Sequence, residues 1–484
     1  MVRPRSGSGV LRRKPIEHIE EPEGGGSEQL TRVLGLWQLT AIGVGGIIGA
    51  GIFTLAGTVA NGVAGPAVVI SFLIAGVASA AAAFSYAEFA GLIPKAGSAY
   101  TYGYAVLGEI VGWFIGWDLL LEYTAIVAVV AIGISGYFSF LLGDLGVQIP
   151  AWMLGAPGTG EGHRVDLFAA VLCLLIAYLL NLGMKNAARF EMAIVGLKVA
   201  VVLLVIVVGF LHINTANYIP FFPYGIGGAI TGAATVFFAV FGYDAMSTAA
   251  EESKDAQRHM PKAIVYSLAI SMVLYVLACL VLTGMQKYTE IDKESGFSSA
   301  FKAVGLQGLA NVIAVGAIIG ILTVMFTFML GVSRVWFSMS RDGLLPHWFA
   351  KTHPTRHVPT RVTWIVGIAS AIIAGFLPIV QAAELTNIGI LLAFVVVCAA
   401  VIVLHYRRPD LPRTFRCPGK PVVPTVGIVF SLWLITFLQW ETWVRFAVWF
   451  LIGLIVYFGY SYRHSALAGA EPAAHGGGTA AGDG

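Results

Sequence analysis

The chain has 484 residues, of which 57% are hydrophobic and only 11% are charged. Soluble domains carry roughly 25% charged residues, so this composition excludes an ordinary water-exposed surface and indicates a protein surrounded by lipid. The net charge of +3 is small. Its basic residues lie in short separate segments and form no single face, so no nucleic-acid partner is expected.

The two ends of the chain are polar or rich in small residues. Residues 1–34 are predicted to be a cytoplasmic N-terminal tail, and they contain no secretory signal peptide. Residues 463–484 are rich in glycine and alanine and are predicted to be disordered. Three of the four cysteines fall inside apolar runs and the fourth, Cys417, in a basic loop, so no disulfide framework is expected.

Twelve apolar runs have about the length that an α-helix needs to cross a bilayer. They divide the chain into a transport core with spans one to ten (35–404), a cytoplasmic loop (405–422) and spans eleven and twelve (423–462). The runs cover residues 36–59, 66–90, 108–141, 166–184, 190–212, 228–250, 263–285, 309–338, 361–379, 384–404, 423–440 and 443–461.

The distribution of lysine and arginine gives an orientation. If both termini lie on one side, that side has 22 of the 29 basic residues and the other side has four. Three more, Lys198, Arg334 and Arg445, lie within spans. Because positive residues concentrate on the cytoplasmic side, both termini are predicted to be cytoplasmic, in the plasma (inner) membrane.

Spans one and six are predicted to be broken helices. Residues 43–51 contain five glycines in nine positions, and residues 237–244 place Gly242 beside Asp244 at a similar depth. Interrupted spans at matching positions of two halves mark transporter binding sites, whereas glycines in a single span more often mark close helix packing. Because the breaks are five spans apart, the sequence predicts a five-plus-five inverted repeat with two extra helices.

A broken helix can bind charged groups through its backbone. Free N–H groups of Gly49, Ala50 and Gly51 would receive a carboxylate at the start of the outer half. Free carbonyls would receive an ammonium group, and the predicted acceptors are Ile47, Phe238, Ala239 and Phe241.

Lys198 lies eight positions into span five, about 12 Å along the helix axis. A lysine at that depth can gain and lose a proton near neutral pH, so it is predicted to carry a proton or to replace a bound cation. The alternative is a fixed ion pair, with Glu122 or Asp118 as the partner.

Several polar residues of other spans are weaker candidates. Asp118 and Glu122 are four apart on span three and share one helix face, which should point inward. Glu122 could recognise a cationic group or relay a proton, and pairing with another helix is the alternative. Asp244 could cap a helix half or line the inner pathway, and Thr323 and Thr327 of span eight could contact a substrate.

No enzyme signature occurs in the chain. It has no nucleophile elbow, no metal-ligand cluster and no phosphate-binding loop of the G-x-x-x-x-G-K-[ST] type. We therefore expect no catalytic residue, no metal and no cofactor, and uphill transport would require an ion gradient.

Five motifs stand out along the chain: GGIIGAGIF at 45–53, PKAGSAY at 94–100, FFAVFGYDAMSTAAEE at 237–252, RDGLLP at 341–346 and RPDLPR at 408–413. Together they resemble the amino acid–polyamine–organocation superfamily and look closest to its cationic amino acid transporter branch. The resemblance implies alternating access and proton-coupled uptake of amino acids. It also implies that Lys198 bridges the broken first span and span eight, replacing a sodium ion. Ala50 departs from relatives that carry a hydroxyl residue there.

Several alternatives stay open at this point. The substrate could be a neutral or a cationic amino acid, and the mechanism could be proton symport or exchange. A receptor that binds amino acid without net flux is a further alternative. The sequence leaves open the oligomeric state and a small accessory membrane subunit.

Overall fold

The computed structural model describes residues 34–92, 98–182, 187–244, 246, 253–351, 359–411 and 413–466. The predicted N-terminal tail, except Leu34, and most of the predicted C-terminal tail lie outside these residues. So do parts of three motifs, at residues 94–97, 245, 247–252 and 412.

Within the described ranges the chain is helical and contains no β-strand. The helices are α1 (Leu36–Ile47), α2 (Ala56–Val59), α3 (Val68–Leu92), α4 (Ser98–Val106), α5 (Glu109–Asp144), α6 (Leu167–Asn181), α7 (Ala187–Phe210), α8 (Gly225–Val236), α9 (Ala256–Met285), α10 (Gly296–Ala303), α11 (Gln307–Arg341), α12 (Thr360–Phe376), α13 (Ile379–Arg407), α14 (Val422–Ile435), α15 (Trp440–Val456) and α16 (Tyr462–His464).

Each of the twelve predicted spans corresponds to helix in the described residues. Span one runs through α1 and α2, and spans two to five are α3, α5, α6 and α7. Span six begins with α8, and spans seven to twelve are α9, α11, α12, α13, α14 and α15. Among the described residues, seven helical segments are long and apolar enough to cross a bilayer, and four others are shorter and apolar. The predicted membrane protein of about twelve helices is confirmed.

The helix packing follows the predicted repeat. Span two packs on span seven (α3 on α9), span three on span eight (α5 on α11) and span four on span nine (α6 on α12). Each pair joins spans that are five apart. The chain therefore has a five-plus-five core, with α14 and α15 as the two extra helices.

Both predicted helix breaks are present. In span one, α1 ends at Ile47, Ile48 is extended (ψ 103°), and the helix resumes as a wider π-type turn over Gly51–Leu55. In span six, α8 ends at Val236, a 3₁₀ turn covers Phe237–Val240, and Phe241 is extended (ψ 167°). Such turns leave backbone groups without intrahelical partners.

The two breaks lie against each other. Gly242 has φ +120°, a conformation that glycine adopts without steric cost. A Cβ at this position would lie 2.5 Å from the carbonyl oxygen of Gly46, so only glycine allows this approach.

Twelve spans, an even number, bring both ends of the described chain to the same side, where each end contacts a loop between spans. Lys254 N–H donates to the Leu34 carbonyl, and Ala466 N–H donates to the Asp342 carbonyl. We call this side the terminal face and the other side the opposite face. The predicted disordered tail starts at residue 463, but α16 continues to His464 and the Ser465 hydroxyl donates to Glu109 at 2.6 Å.

Candidate substrate site

A small cavity lies where the two helix breaks meet. Every side chain around it is apolar. Span one, span six and α11 each contribute. The lining residues are Gly46, Ile47, Gly49, Ala50, Gly51, Phe238, Phe241, Val324 and Phe328.

Because the lining side chains are apolar, polar groups at this cavity come from the backbone. Gly49, Ala50 and Gly51 lead into the outer half of span one, where the first N–H groups of a helix have no intrahelical acceptor. Two of the predicted carbonyl acceptors already accept a hydrogen bond within the protein. The Ile47 carbonyl already accepts from the Tyr275 hydroxyl at 2.7 Å, and the Phe238 carbonyl accepts from Phe241 N–H at 3.4 Å.

Ala239, a predicted substrate residue, contacts the other break and is absent from the cavity lining. A Cβ on Gly51 would lie 2.3 Å from the Ala239 Cβ and 2.4 Å from its Cα. The small residues at these two positions let spans one and six touch through their backbones.

Lys198 lies beneath the first break and is 1% exposed. Its Nζ donates to the Gly45 carbonyl oxygen, and it lies 3.3 Å from the Thr323 hydroxyl. These contacts connect α7 with span one and with α11. No hydrogen bond joins Lys198 to the carboxylates of Asp118 or Glu122, the predicted ion-pair partners.

The two predicted threonines of α11 lie outside the cavity lining. Thr323 contacts Lys198 and donates to the Gly320 carbonyl at 2.8 Å. Thr327 donates to the Thr323 carbonyl at 2.9 Å, which is a bond within its own helix. Neither residue belongs to the lining, which α11 supplies through Val324 and Phe328 instead.

Asp244 follows the second break and is 2% exposed. Its Oδ2 accepts a hydrogen bond from the Tyr123 hydroxyl. The Tyr123 ring meets the Phe328 ring edge-on, with centroids 5.1 Å apart. The carboxylate of Asp244 therefore connects to the cavity through two aromatic side chains.

Asp118 and Glu122 are both buried inside the helix bundle, at 2% and 0% exposure. None of their four carboxylate oxygens has a hydrogen-bond partner among the described residues. Asp118 packs against α13, where a Cβ on Gly389 would lie 2.8 Å from Oδ1. Both side chains therefore face the inside of the bundle, as predicted for this face of α5.

Several cavity residues were not predicted from the sequence. Gly46 lies next to the residues chosen in span one, and Val324 and Phe328 are four apart on α11. Their spacing places them on one helix face, but an apolar pair in an apolar span carries no distinguishing signal. Tyr275, which contacts Ile47, gave no signal either.

Comparison with known proteins agrees with this architecture. The family described as amino acid permease matches residues 34–460. The methylthioribose transporter of Bacillus subtilis (strain 168) is 46% identical over 95% of this chain and 99% of its own length. The branched-chain amino acid permease BcaP of the same strain is 44% identical over the same shares.

A plant relative extends this similarity. The vacuolar cationic amino acid transporter 4 of Arabidopsis thaliana is 37% identical over 83% of this chain and 68% of its own length. The relatives are transporters, in keeping with a permease and not an enzyme. With the family profile matched from Leu34 to the end of span twelve, the chain belongs to the amino acid permease family of the amino acid–polyamine–organocation superfamily.

Proposed function

We propose that this protein imports small neutral amino acids with apolar side chains by proton symport through alternating access. In this proposal both termini are cytoplasmic, the opposite face is external, and the membrane is the plasma membrane. The excess of lysine and arginine on the terminal side supports this orientation.

The observation that carries the proposal is the lining of the cavity. Backbone N–H groups of the first break would bind the substrate carboxylate, and carbonyls of the two breaks would bind its ammonium group. Its side chain would meet Ala50, Val324 and Phe328, which are uncharged. A cationic side chain would find no carboxylate there, since Asp244 lies behind Tyr123 and Phe328. The name of the branched-chain amino acid permease relative agrees with an apolar substrate.

Lys198 is the proposed coupling residue. Its ammonium group bonds to a carbonyl of the first break and contacts α11, so it stabilises one arrangement of these helices while it is charged. Loss of its proton would remove a charge-assisted hydrogen bond from Gly45 and release the break. The position of span one would thereby depend on protonation.

The buried carboxylates of Asp244, Glu122 and Asp118 are the proposed proton relay. Glu122 lies within electrostatic range of both other residues. Along α5, Asp118 is one helical turn closer to the terminal face than Glu122. A relay role is favoured over recognition of a cationic side chain, because these groups lie outside the cavity lining.

A second candidate substrate is methylthioribose, because a relative with 46% identity is named for it. An apolar lining also suits a methylthio group. A sugar, however, offers no carboxylate to the N–H groups at the first break. Competition between methylthioribose and an amino acid for binding tests whether the site requires a carboxylate.

The test is uptake of labelled isoleucine, alanine, arginine and methylthioribose into liposomes that contain purified protein. Each ligand is measured with and without an inward proton gradient. Isoleucine or alanine accumulation that requires the gradient is expected. Accumulation of arginine alone would refute the neutral substrate, and uptake only into liposomes preloaded with amino acid would refute symport in favour of exchange. Binding of amino acid without any flux would indicate a receptor.

A further inference from the structure

The last turn of α8 is held by one side chain from span ten. α8 ends at Val236, so the carbonyls of its final turn have no regular α-helical donor. The Nδ2 atom of Asn387, on α13, donates to the Ala234 carbonyl at 2.8 Å and to the Thr235 carbonyl at 2.9 Å. Because carbonyl oxygens only accept hydrogen bonds, the nitrogen of the amide group must be the atom that faces them. Asn387 therefore caps the first half of span six where the second break begins.

Asn387 is fully buried and lies outside the cavity lining. Its Oδ1 accepts no hydrogen bond from the described residues. Burial of an amide oxygen without a partner costs free energy that an apolar side chain would avoid. The two bonds to α8 are the gain that the structure shows for this amide.

An equivalent contact occurs in the first half of the chain. Lys198 belongs to span five and donates to the Gly45 carbonyl, two residues before the end of α1. Asn387 belongs to span ten and donates to the Ala234 carbonyl, two residues before the end of α8. Spans five and ten, like spans one and six, are partners in the five-plus-five repeat. Asn387 is therefore the counterpart of Lys198 in the second repeat.

A second pair of contacts follows the same symmetry. The Tyr275 hydroxyl of span seven donates to the Ile47 carbonyl at 2.7 Å, and the Ser79 hydroxyl of span two donates to the Val240 carbonyl at 3.2 Å. Ile47 ends α1, and Val240 ends the 3₁₀ turn of span six. Each break is thus held by two side chains, one from the fifth span of its own repeat and one from the second span of the other repeat.

α13 also contacts the part of the second break that lines the cavity. Phe394 lies seven residues after Asn387, about two helical turns, so both residues share one face of α13. The Phe394 ring packs against the rings of Phe237 and Phe241, with centroids 5.6 and 5.8 Å apart. Phe241 is a lining residue. α13 therefore holds the second break at its start through an amide and at its end through an aromatic ring.

We propose that Asn387 is a positioning residue, which sets the place of the second break and of the carbonyls there that receive the substrate's ammonium group. It touches no substrate. Its amide has no proton to gain or lose at physiological pH, so its hold on α8 is the same in every protonation state of Lys198. One break is then held through a titratable group and the other is not. The ammonium part of this inference rests on the proposed function.

The experiment measures binding of labelled isoleucine to purified protein in nanodiscs at pH 5, 7 and 9. Asn387→Ala removes both hydrogen bonds to α8. Asn387→Asp has nearly the same size, and its carboxyl can donate one hydrogen bond while it is neutral. Asn181→Ala is the control, because it removes a buried asparagine whose Nδ2 donates to a carbonyl of its own helix, α6. Uptake at saturating isoleucine, with and without a proton gradient, is measured on the same variants.

We expect Asn387→Ala to weaken isoleucine binding by at least about tenfold, and by a similar factor at each pH. Its uptake at saturating isoleucine should still require the proton gradient, in contrast to that of Lys198→Ala. At pH 5, Asn387→Asp should recover part of the lost affinity through its single donor. Asn181→Ala should bind isoleucine like the wild type.

Wild-type affinity in Asn387→Ala, or an equal loss in Asn387→Asp at pH 5, would refute the positioning role. Loss of the gradient dependence in Asn387→Ala would refute it too, because the residue would then belong to proton coupling. If Asn387→Ala does not fold, wild-type affinity of Asn387→Asp at both pH 5 and pH 9 would refute the role instead.

Failure of the proposed function gives a different result. A wild type that binds isoleucine and does not accumulate it would refute proton symport, and the affinity comparison would still decide the role of Asn387. A wild type that does not bind isoleucine at all would refute the proposed substrate and the ammonium role together.

Discussion

At the scale of single residues, Lys198 is a buried cation. Its Nζ donates to the Gly45 carbonyl and lies near the Thr323 hydroxyl. These two contacts join α7 to the first break and to α11. A change in the charge of Lys198 would therefore act on both elements.

We predict that Lys198→Ala abolishes accumulation driven by a proton gradient and leaves the protein folded. The charge that holds Gly45 would be lost, so the gradient could no longer bias the first break. Accumulation ratios in liposomes and thermal unfolding in detergent measure both effects. Lys302→Ala, which removes a half-exposed lysine near Asp144, should accumulate normally. Normal accumulation in Lys198→Ala would remove this lysine from the mechanism.

Val324 is the cavity residue whose size is easiest to test. Val324→Ala removes two methyl groups from the lining, and each buried methylene is worth about 0.8 kcal/mol. We expect the affinity for isoleucine to fall by roughly 5–20-fold, and the affinity for alanine to change less, as measured by competition binding. Val332→Ala truncates a buried valine of the same helix outside the lining and is the control. An equal loss for both ligands would contradict this assignment.

At the scale of elements, the two broken spans depend on small residues at their contact. α1 and the outer half of span one are separated by Ile48, Gly49 and Ala50, and Gly51 touches Ala239. Glycine lowers helix propensity by about 1 kcal/mol, which explains why the break occurs here. The same glycines permit the backbone contact between repeats.

We predict that Gly51→Ala strongly reduces transport, because the new Cβ would overlap Ala239. Overpacking of this kind costs about 1–3 kcal/mol, or roughly 5–150-fold in affinity. Gly62→Ala, in the helical turn just after α2 and with nothing within 4 Å of the new Cβ, should transport normally. Initial uptake rates of both variants provide the comparison, and equal rates would contradict the prediction.

At the scale of the whole molecule, a buried network ties the terminal face together. Glu88, at the end of α3, accepts from Arg413 Nε at 2.8 Å and from Cys417 N–H at 2.8 Å, and it lies 2.8 Å from His405 Nε2. Span two, span ten and the connecting loop are thereby joined around one carboxylate. Glu88 is fully buried and the Arg413 side chain is 2% exposed.

We predict that Arg413→Ala destabilises the protein by about 3–5 kcal/mol, since it leaves Glu88 charged and buried. Arg408→Ala in the same loop removes a partly exposed arginine paired with exposed Asp410 and should change stability little. Thermal unfolding of both variants in detergent distinguishes them. Similar melting temperatures would show that the network contributes nothing to stability.

The sequence alone determined the twelve spans, the two breaks and the basic-residue bias. These features are local: a bilayer requires about 20 apolar residues per crossing, and backbone breaks follow from glycine content. Lys198 was also identifiable, because a charged residue within an apolar run is costly and stands out.

Only the tertiary structure decided which side chains meet. Most of these spans are apolar on every side, so no hydrophobic face in the sequence tells which way each helix is rotated. Packing sets that rotation. It turned Val324 and Phe328 into the cavity in place of Thr323 and Thr327, and it left the carboxylates of Asp118 and Glu122 without hydrogen bonds to the described residues.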